Sequence, residues 1–210
     1  MPRRGPGLTQ ESHKEAQEAL DSYYRALGSF VSSYARTEGL LHLTLRIFCG
    51  LHDALGSAVL SGFRAEQTVD LINRVLDVCK KGGAKTFLAR HFQQFRLITK
   101  IRNDILHYGA EFEMPNVLLV SNERDAHIPE RLRETRITPH DLRCMAHDLH
   151  IVQTGLLAVL ETVSSSQSLT DWNSISQTAW RYTPLQPIPL DRAPRRNPPK
   201  RSHQRPSSRG

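Results

Sequence analysis

The sequence predicts an all-α protein, an antiparallel up-and-down bundle of four to five helices, and three observations lead there. Apolar residues recur at three and four spacing over three long stretches. Helix punctuation stands where those stretches begin and end. β-like runs are confined to two short segments before the last helix, which read as a hairpin-like or irregular excursion.

The first helix is predicted from Ser12 to about Phe48, on a stripe of Leu20, Tyr24, Leu27, Val31, Tyr34, Glu38, Leu41, Leu45 and Phe48. Ser12 with Glu15 three residues on reads as a capping box that satisfies first-turn amides. A Gly- and Ser-containing connection near Gly56 to Gly62 follows, without a defined state. The second helix is expected over about Ala65 to Lys80, with Val69, Ile72, Val75 or Leu76, and Cys79 inward, and Gly82-Gly83 as its stop. The third should run from about Thr86 to Tyr108 and end at Gly109, where a left-handed residue costs least. Val117 to Val120 and Arg133 to Thr138 are the two short strand candidates, around a charged loop. Thr138-Pro139 with Asp141 opens the last helix, whose stripe is Leu142, Met145, Leu149, Val152, Leu156, Val159 and Val163.

These readings divide the chain into a disordered N-terminus over 1–11, a helical bundle over 12–163, a polar extension over 164–183 and a disordered basic tail over 184–210. The extension holds Trp172 and Trp180 and reads as a short helix packing back on the bundle. At 210 residues the chain is long enough for one domain with a sizeable core. Its formal net charge is +7, yet the Pro/Arg-rich tail from Pro184 carries +6 of it, so the bundle itself is nearly neutral. No apolar run approaches the roughly 20 residues that a membrane span needs. No apolar segment follows Arg3 and Arg4 to make a secretory signal, so cytoplasmic residence and no membrane partner are expected. Cys49, Cys79 and Cys144 are odd in number and widely spaced, which fits neither a disulfide framework nor a Cys-x-x-Cys metal pair.

The chemistry-bearing segment is Arg102-Asn103-Asp104-Ile105-Leu106-His107-Tyr108-Gly109, the last turns of the third helix. An Arg-to-His spacing of this kind is cheap, since Arg36/His42, Arg46/His52, Arg133/His140, Arg143/His150 and Arg196/His203 also satisfy it. What distinguishes Arg102 and His107 is the Asn directly after the Arg, the helix end and the glycine beyond. At about 100° per residue, Ile98, Ile101 and Ile105 define one face, and Arg96, Lys100, Asn103 and His107 gather near the opposite one. Arg102 falls beside the core face, about 140° from His107, so its side chain must bend outward or pair inward. The competing reading makes His107 a favourable charge at a helix C-terminus and Arg96, Lys100 and Asn103 a solvated face.

The Arg102-Asn103-x-x-x-His107 pattern, late in the third helix of a bundle with a long first helix, resembles the HEPN domains. The likeness covers the layout from Ser12 to Val163. It implies a metal-independent endoribonuclease, without cofactor, within a toxin or defence system. His107 would serve as general base or acid, Arg102 would stabilise the charged phosphate, and Asn103 would bind phosphate or position His107. Arg96 and Lys100 would hold RNA. The implied partners are RNA, a second copy of the chain that completes the cleft, and an antitoxin. The alternative is a non-catalytic HEPN-like dimer that binds nucleic acid, nucleotide or protein.

Glu38 interrupts an apolar stripe, and a buried carboxylate needs a partner. It is expected to support the site by pairing with Arg102, or else to pair with His42 or reach solvent near Gly39. Glu38/His42 and Asp104/His107 are the carboxylate–imidazole pairs a metal could use, but neither is the Glu-x-x-His motif of bundle metal sites and the helical wheel turns Asp104 and His107 away from the core, so no metal is expected.

Overall fold

The computed structural model describes residues 10–114, 117–122, 134–165 and 178–183. Its helices are α1 (Gln10–Phe48), α2 (Asp53–Leu60), α3 (Ala65–Val78), α4 (Gly82–Tyr108) and α5 (Pro139–Ser165), and three strands, β1 (Glu111–Met114), β2 (Val117–Ser121) and β3 (Glu134–Ile137), lie between α4 and α5. The described chain is thus mostly helical, as expected. The N-terminal stretch over 1–9, the tail from residue 184 and Trp172 lie outside the described residues.

α1 packs along α5 and α3, and α4 along α5 and α3, which closes a four-helix core around Phe30, Leu41, Phe92, Phe95, Ile98, Met145 and Leu149. The predicted α5 stripe is buried from Leu142 to Val159. On α1 the stripe is displaced in its first half: Tyr23, Ala26 and Phe30 are buried, whereas Tyr24 is 58% and Val31 41% exposed. Two apolar stripes overlap there, sharing Leu27 and Tyr34, and the one in register with Leu41 and Leu45 is inward. α1 also starts at Gln10, so Ser12 lies inside the helix instead of capping it.

Helix ends show which turn signals hold. α1 closes in a Schellman motif: Leu51 N–H donates to Arg46 O at 3.0 Å and Gly50, at φ 61°, donates to Ile47 O at 3.1 Å. α3 closes the same way, but Lys80 takes the left-handed position at φ 53°, with Lys81 N–H on Leu76 O at 2.9 Å. Gly82 and Gly83, expected as the stop, therefore begin α4, four residues before the expected start at Thr86. Cys79 is exposed, not inward, because the turn has already left the helical face. The connection near Gly56 is α2 itself.

Thr138 and Asp141 form the expected start of α5: Asp141 N–H donates to Thr138 Oγ1 at 3.1 Å, and Thr138 N–H returns to Asp141 Oδ2 at 2.9 Å. The excursion before it is a three-stranded antiparallel sheet in the order β1-β2-β3, with Leu118 opposite Ile137 and Leu119 opposite Glu111. β2 and β3 were foreseen; β1 was not, because Glu111 and Glu113 alternate with apolar residues over only four positions. Leu118, Val120 and Ile137 turn to the core, and on the exposed side Arg136 clamps both carboxylate oxygens of Glu113 at 2.5 and 2.7 Å. That clamp pulls the Glu113 carboxyl below its usual range, first by hydrogen bonding.

Within the predicted polar extension, residues 178–183 are irregular, not helical, and do return to the bundle. Asp148, fully buried on α5, accepts from Arg181 N–H at 2.9 Å and Tyr182 N–H at 2.8 Å, and Gln94 Nε2 donates to Asp148 at 2.8 Å and to Tyr182 O at 2.9 Å. Burial, with Asp141 adding repulsion, pushes the Tyr182 phenol up to about 12.

Candidate functional site at the end of α4

The last turns of α4 put one side chain of each kind at a different depth. Ile101 and Ile105 are buried, Arg102 and Asn103 half-buried, and Lys100 and His107 exposed, as the helical wheel requires. Arg102 takes the inward course open to it: its guanidinium carbon stands 4.9 Å from the centre of the Tyr34 ring, a cation–π contact. Its Nη1 donates to Asn103 Oδ1 at 3.0 Å. The platform is firm, since Tyr34 stacks on Phe95 with ring centres 5.4 Å apart, and its hydroxyl pairs with Thr99 Oγ1 at 3.1 Å. Burial raises the Tyr34 pKa, against the lowering effect of the Thr99 bond; Arg102 also lowers it and Glu38 raises it.

Tyr34 is the residue that sequence reading placed in the core without giving it a part in the site. A ring facing a helix that carries an unpaired arginine was the available signal. Glu38 is half-buried and makes no ion pair with Arg102 or His42 among the described residues, so its expected role as a clamp on Arg102 is replaced by the tyrosine ring. It acts on this corner only at longer range, through its charge on Tyr34.

The positive charge that α4 carries is largely cancelled by α3. Arg96 pairs with Asp70 at 2.6 Å, and Lys85 with Asp77 at 2.6 Å. Arg90 donates to Thr178 O at 3.0 Å and lies over the Trp180 ring at 5.2 Å. Arg96 is thus held by a carboxylate instead of being free for RNA, whereas Lys100 and Arg102 have no carboxylate partner among the described residues. A cationic corner remains at the site itself, without the long basic face that α4 alone suggests.

The exposed imidazole of His107 lies 6.5 Å, ring centre to ring centre, from the half-buried Tyr108. Gly109 ends the helix at φ 73° and ψ −176°, its N–H on Ile105 O at 3.1 Å. The positive φ was expected, but the ψ belongs to a region essentially restricted to glycine, more demanding than a left-handed cap. No group of three or more His, Cys, Asp or Glu side chains suited to a metal occurs among the described residues. Chemically, the corner offers a held guanidinium with donors to spare, a carboxamide and an exposed imidazole, all on one helix end. Such a set can bind an oxyanion and exchange a proton beside it.

Comparison with protein-family models, with curated proteins and with solved structures finds nothing that matches this chain. No helix among the described residues is long and apolar enough to cross a membrane.

Proposed function

We propose that the chain is an endoribonuclease of HEPN type, acting as a homodimer without a metal cofactor. The observation that supports it most is the held Arg102: half-buried, stacked on Tyr34 and tied to Asn103, at the helix end that also carries the exposed His107. Preorganised donors aimed at developing charge are the largest single contribution in many enzymes. In the reaction, an imidazole takes the proton of the RNA 2'-hydroxyl, O2' attacks phosphorus, and the bond from phosphorus to O5' breaks. The leaving oxygen receives a proton, giving a 2',3'-cyclic phosphate and a 5'-hydroxyl end. Arg102 bears the charge of the pentacoordinate phosphate, and Lys100 holds the neighbouring backbone. One protomer presents Lys100 and His107 at its surface with Arg102 half-buried, so a second copy supplies the opposite wall. A toxin or defence system, with an antitoxin that restrains the chain, is the setting this reading favours.

The test is cleavage of varied RNAs in chelator. Wild type is expected to cut RNA and spare DNA, and His107→Ala to lose about 10²-fold or more in rate, the usual contribution of acid–base catalysis. No cleavage by wild type, or full activity in His107→Ala, would sink the proposal. One observation favours a second reading: Arg102 turns inward to Tyr34, and the helical period puts it about 140° from His107. A non-catalytic dimer that binds nucleic acid through Lys100, Asn103 and Arg102 would hold RNA uncut, in a salt-dependent way.

A further inference from the structure

On another part of the molecule, α1 and α2 enclose a groove of about 320 Å³, at the small end of ligand pockets. Its polar lining is His42 and Arg46 from α1 with Ser57 and Ser61 from the α2 side, and Leu43 and Leu60 supply apolar surface. His42 and Arg46 are four apart and share one helix face. Arg46 is mostly buried in the groove, while its carboxylate partner Asp53, at 3.3 Å, is 82% exposed. With Asp53 so exposed the pair contributes little, and its single contact, through Nη1, leaves the guanidinium with donors for a second anion.

Two further features point to a ligand. The Nε2 of His42 is buried without a hydrogen-bond partner among the described residues, a condition shared by Nε2 of His91 and Nδ1 of His147, but of the three only His42 lines the groove. Gly56 is buried in the middle of α2, where glycine weakens a helix. A Cβ at that position would stand 2.6 Å from Cδ and 2.7 Å from Cγ of Arg46. The missing side chain is what lets the arginine arm cross α2 into the groove.

We propose that this groove binds a small phosphomonoester, its phosphate on Arg46, His42 and the serine hydroxyls and its short apolar body against Leu43 and Leu60. A guanidinium fork, an imidazole N–H and two hydroxyls are more donors than the two oxygens of a carboxylate accept in one plane, and they suit a phosphate. Ser61 Oγ now donates to Ala58 O at 3.3 Å, a long bond that an anion readily displaces. The proposal is independent of RNA cleavage at α4.

The experiment titrates the full chain with phenyl phosphate, inorganic phosphate and benzoate at matched ionic strength, following backbone amide shifts. Phenyl phosphate should saturate, with the largest shifts at His42, Arg46, Gly56 and Ser57, and bind more tightly than the other two. Arg46→Gln should weaken it about tenfold, the size expected for losing a charged hydrogen bond. His42→Gln, a second variant on the groove surface, should weaken it as well, and the amide spectrum of each variant reports its fold. Absence of saturation, unchanged affinity in both variants, shifts confined to the end of α4, or benzoate binding as tightly as phenyl phosphate would each overturn the proposal.

Discussion

Midway along α4, His91 and Gln94 are sealed in the interior, whereas little more than two turns on Arg102, Asn103 and His107 emerge toward the surface of the same helix. The interior group is closed on itself but for Nε2 of His91, which has no hydrogen-bond partner among the described residues. Gln94 and two backbone amides saturate Asp148, and His91 is wedged among Phe87, Trp180 and Gly155, its Nδ1 on Phe87 O at 3.0 Å. The outer group keeps donors to spare. Polar side chains of similar kind thus hold the fold together at one place and are free for chemistry at the other, and what separates them is the segment over 178–183 that covers the first.

The contrast is broken most severely at Asp148. Asp148→Ala leaves one N–H of the Gln94 amide and two backbone N–H groups without their acceptor, and unmet buried donors cost about 1–3 kcal/mol each, so a loss of about 3 kcal/mol is expected in urea unfolding. His107→Ala, at an exposed position, should change stability by no more than about 0.5 kcal/mol. Equal losses in the two variants would erase the distinction. Next in size comes Gly155→Ala, whose Cβ would lie 2.6 Å from Nε2 of His91. Overpacking of this kind costs about 1–3 kcal/mol, and the thermal midpoint should fall without any change in the RNA cleavage proposed for the end of α4.

The smallest effect is a pH dependence. Burial, more than repulsion from Arg90, holds the His91 pKa below its ordinary 6.5, while the Phe87 carbonyl opposes the shift. The unfolded chain therefore takes up the proton more readily. The stabilisation is fully present above about pH 6.5 and is lost as pH falls below it toward the lower folded value. The thermal midpoint should drop between about pH 7.5 and about pH 5, and this slope should flatten in His91→Leu; a slope unchanged by the substitution would assign it to other groups.

The outer group was legible in the sequence and the inner one was not, for a physical reason. Asn103 and His107 are neighbours on one helix, so their common face follows from the helical period alone. Asp148 sits between His147 and His150 and reads as surface; its burial depends on backbone amides 33 and 34 residues further on, a pairing without local signature. The same applies to Arg102, for which an outward and an inward course both stood open, with Glu38 as the expected partner on the inward one instead of Tyr34. Arg96, read as holding RNA, misled likewise, because its partner Asp70 belongs to a different helix. Helix ends were readable where glycine held the special conformation, at Gly109, and misread where Lys80 took it.

The turn at Gly109 also bears on motion. A terminal helical turn ordinarily frays, and its backbone exchanges amide hydrogens almost freely. Here Ile105 is buried, Tyr108 and Ala110 rest against the core, and the chain enters β1 only two residues after Gly109, in a sheet whose central strand lies on α4. The last turn is anchored from both sides, so the main chain beneath His107 has already lost its freedom during folding. An incoming molecule would meet a hinge-free turn, and association there need order only the side chain.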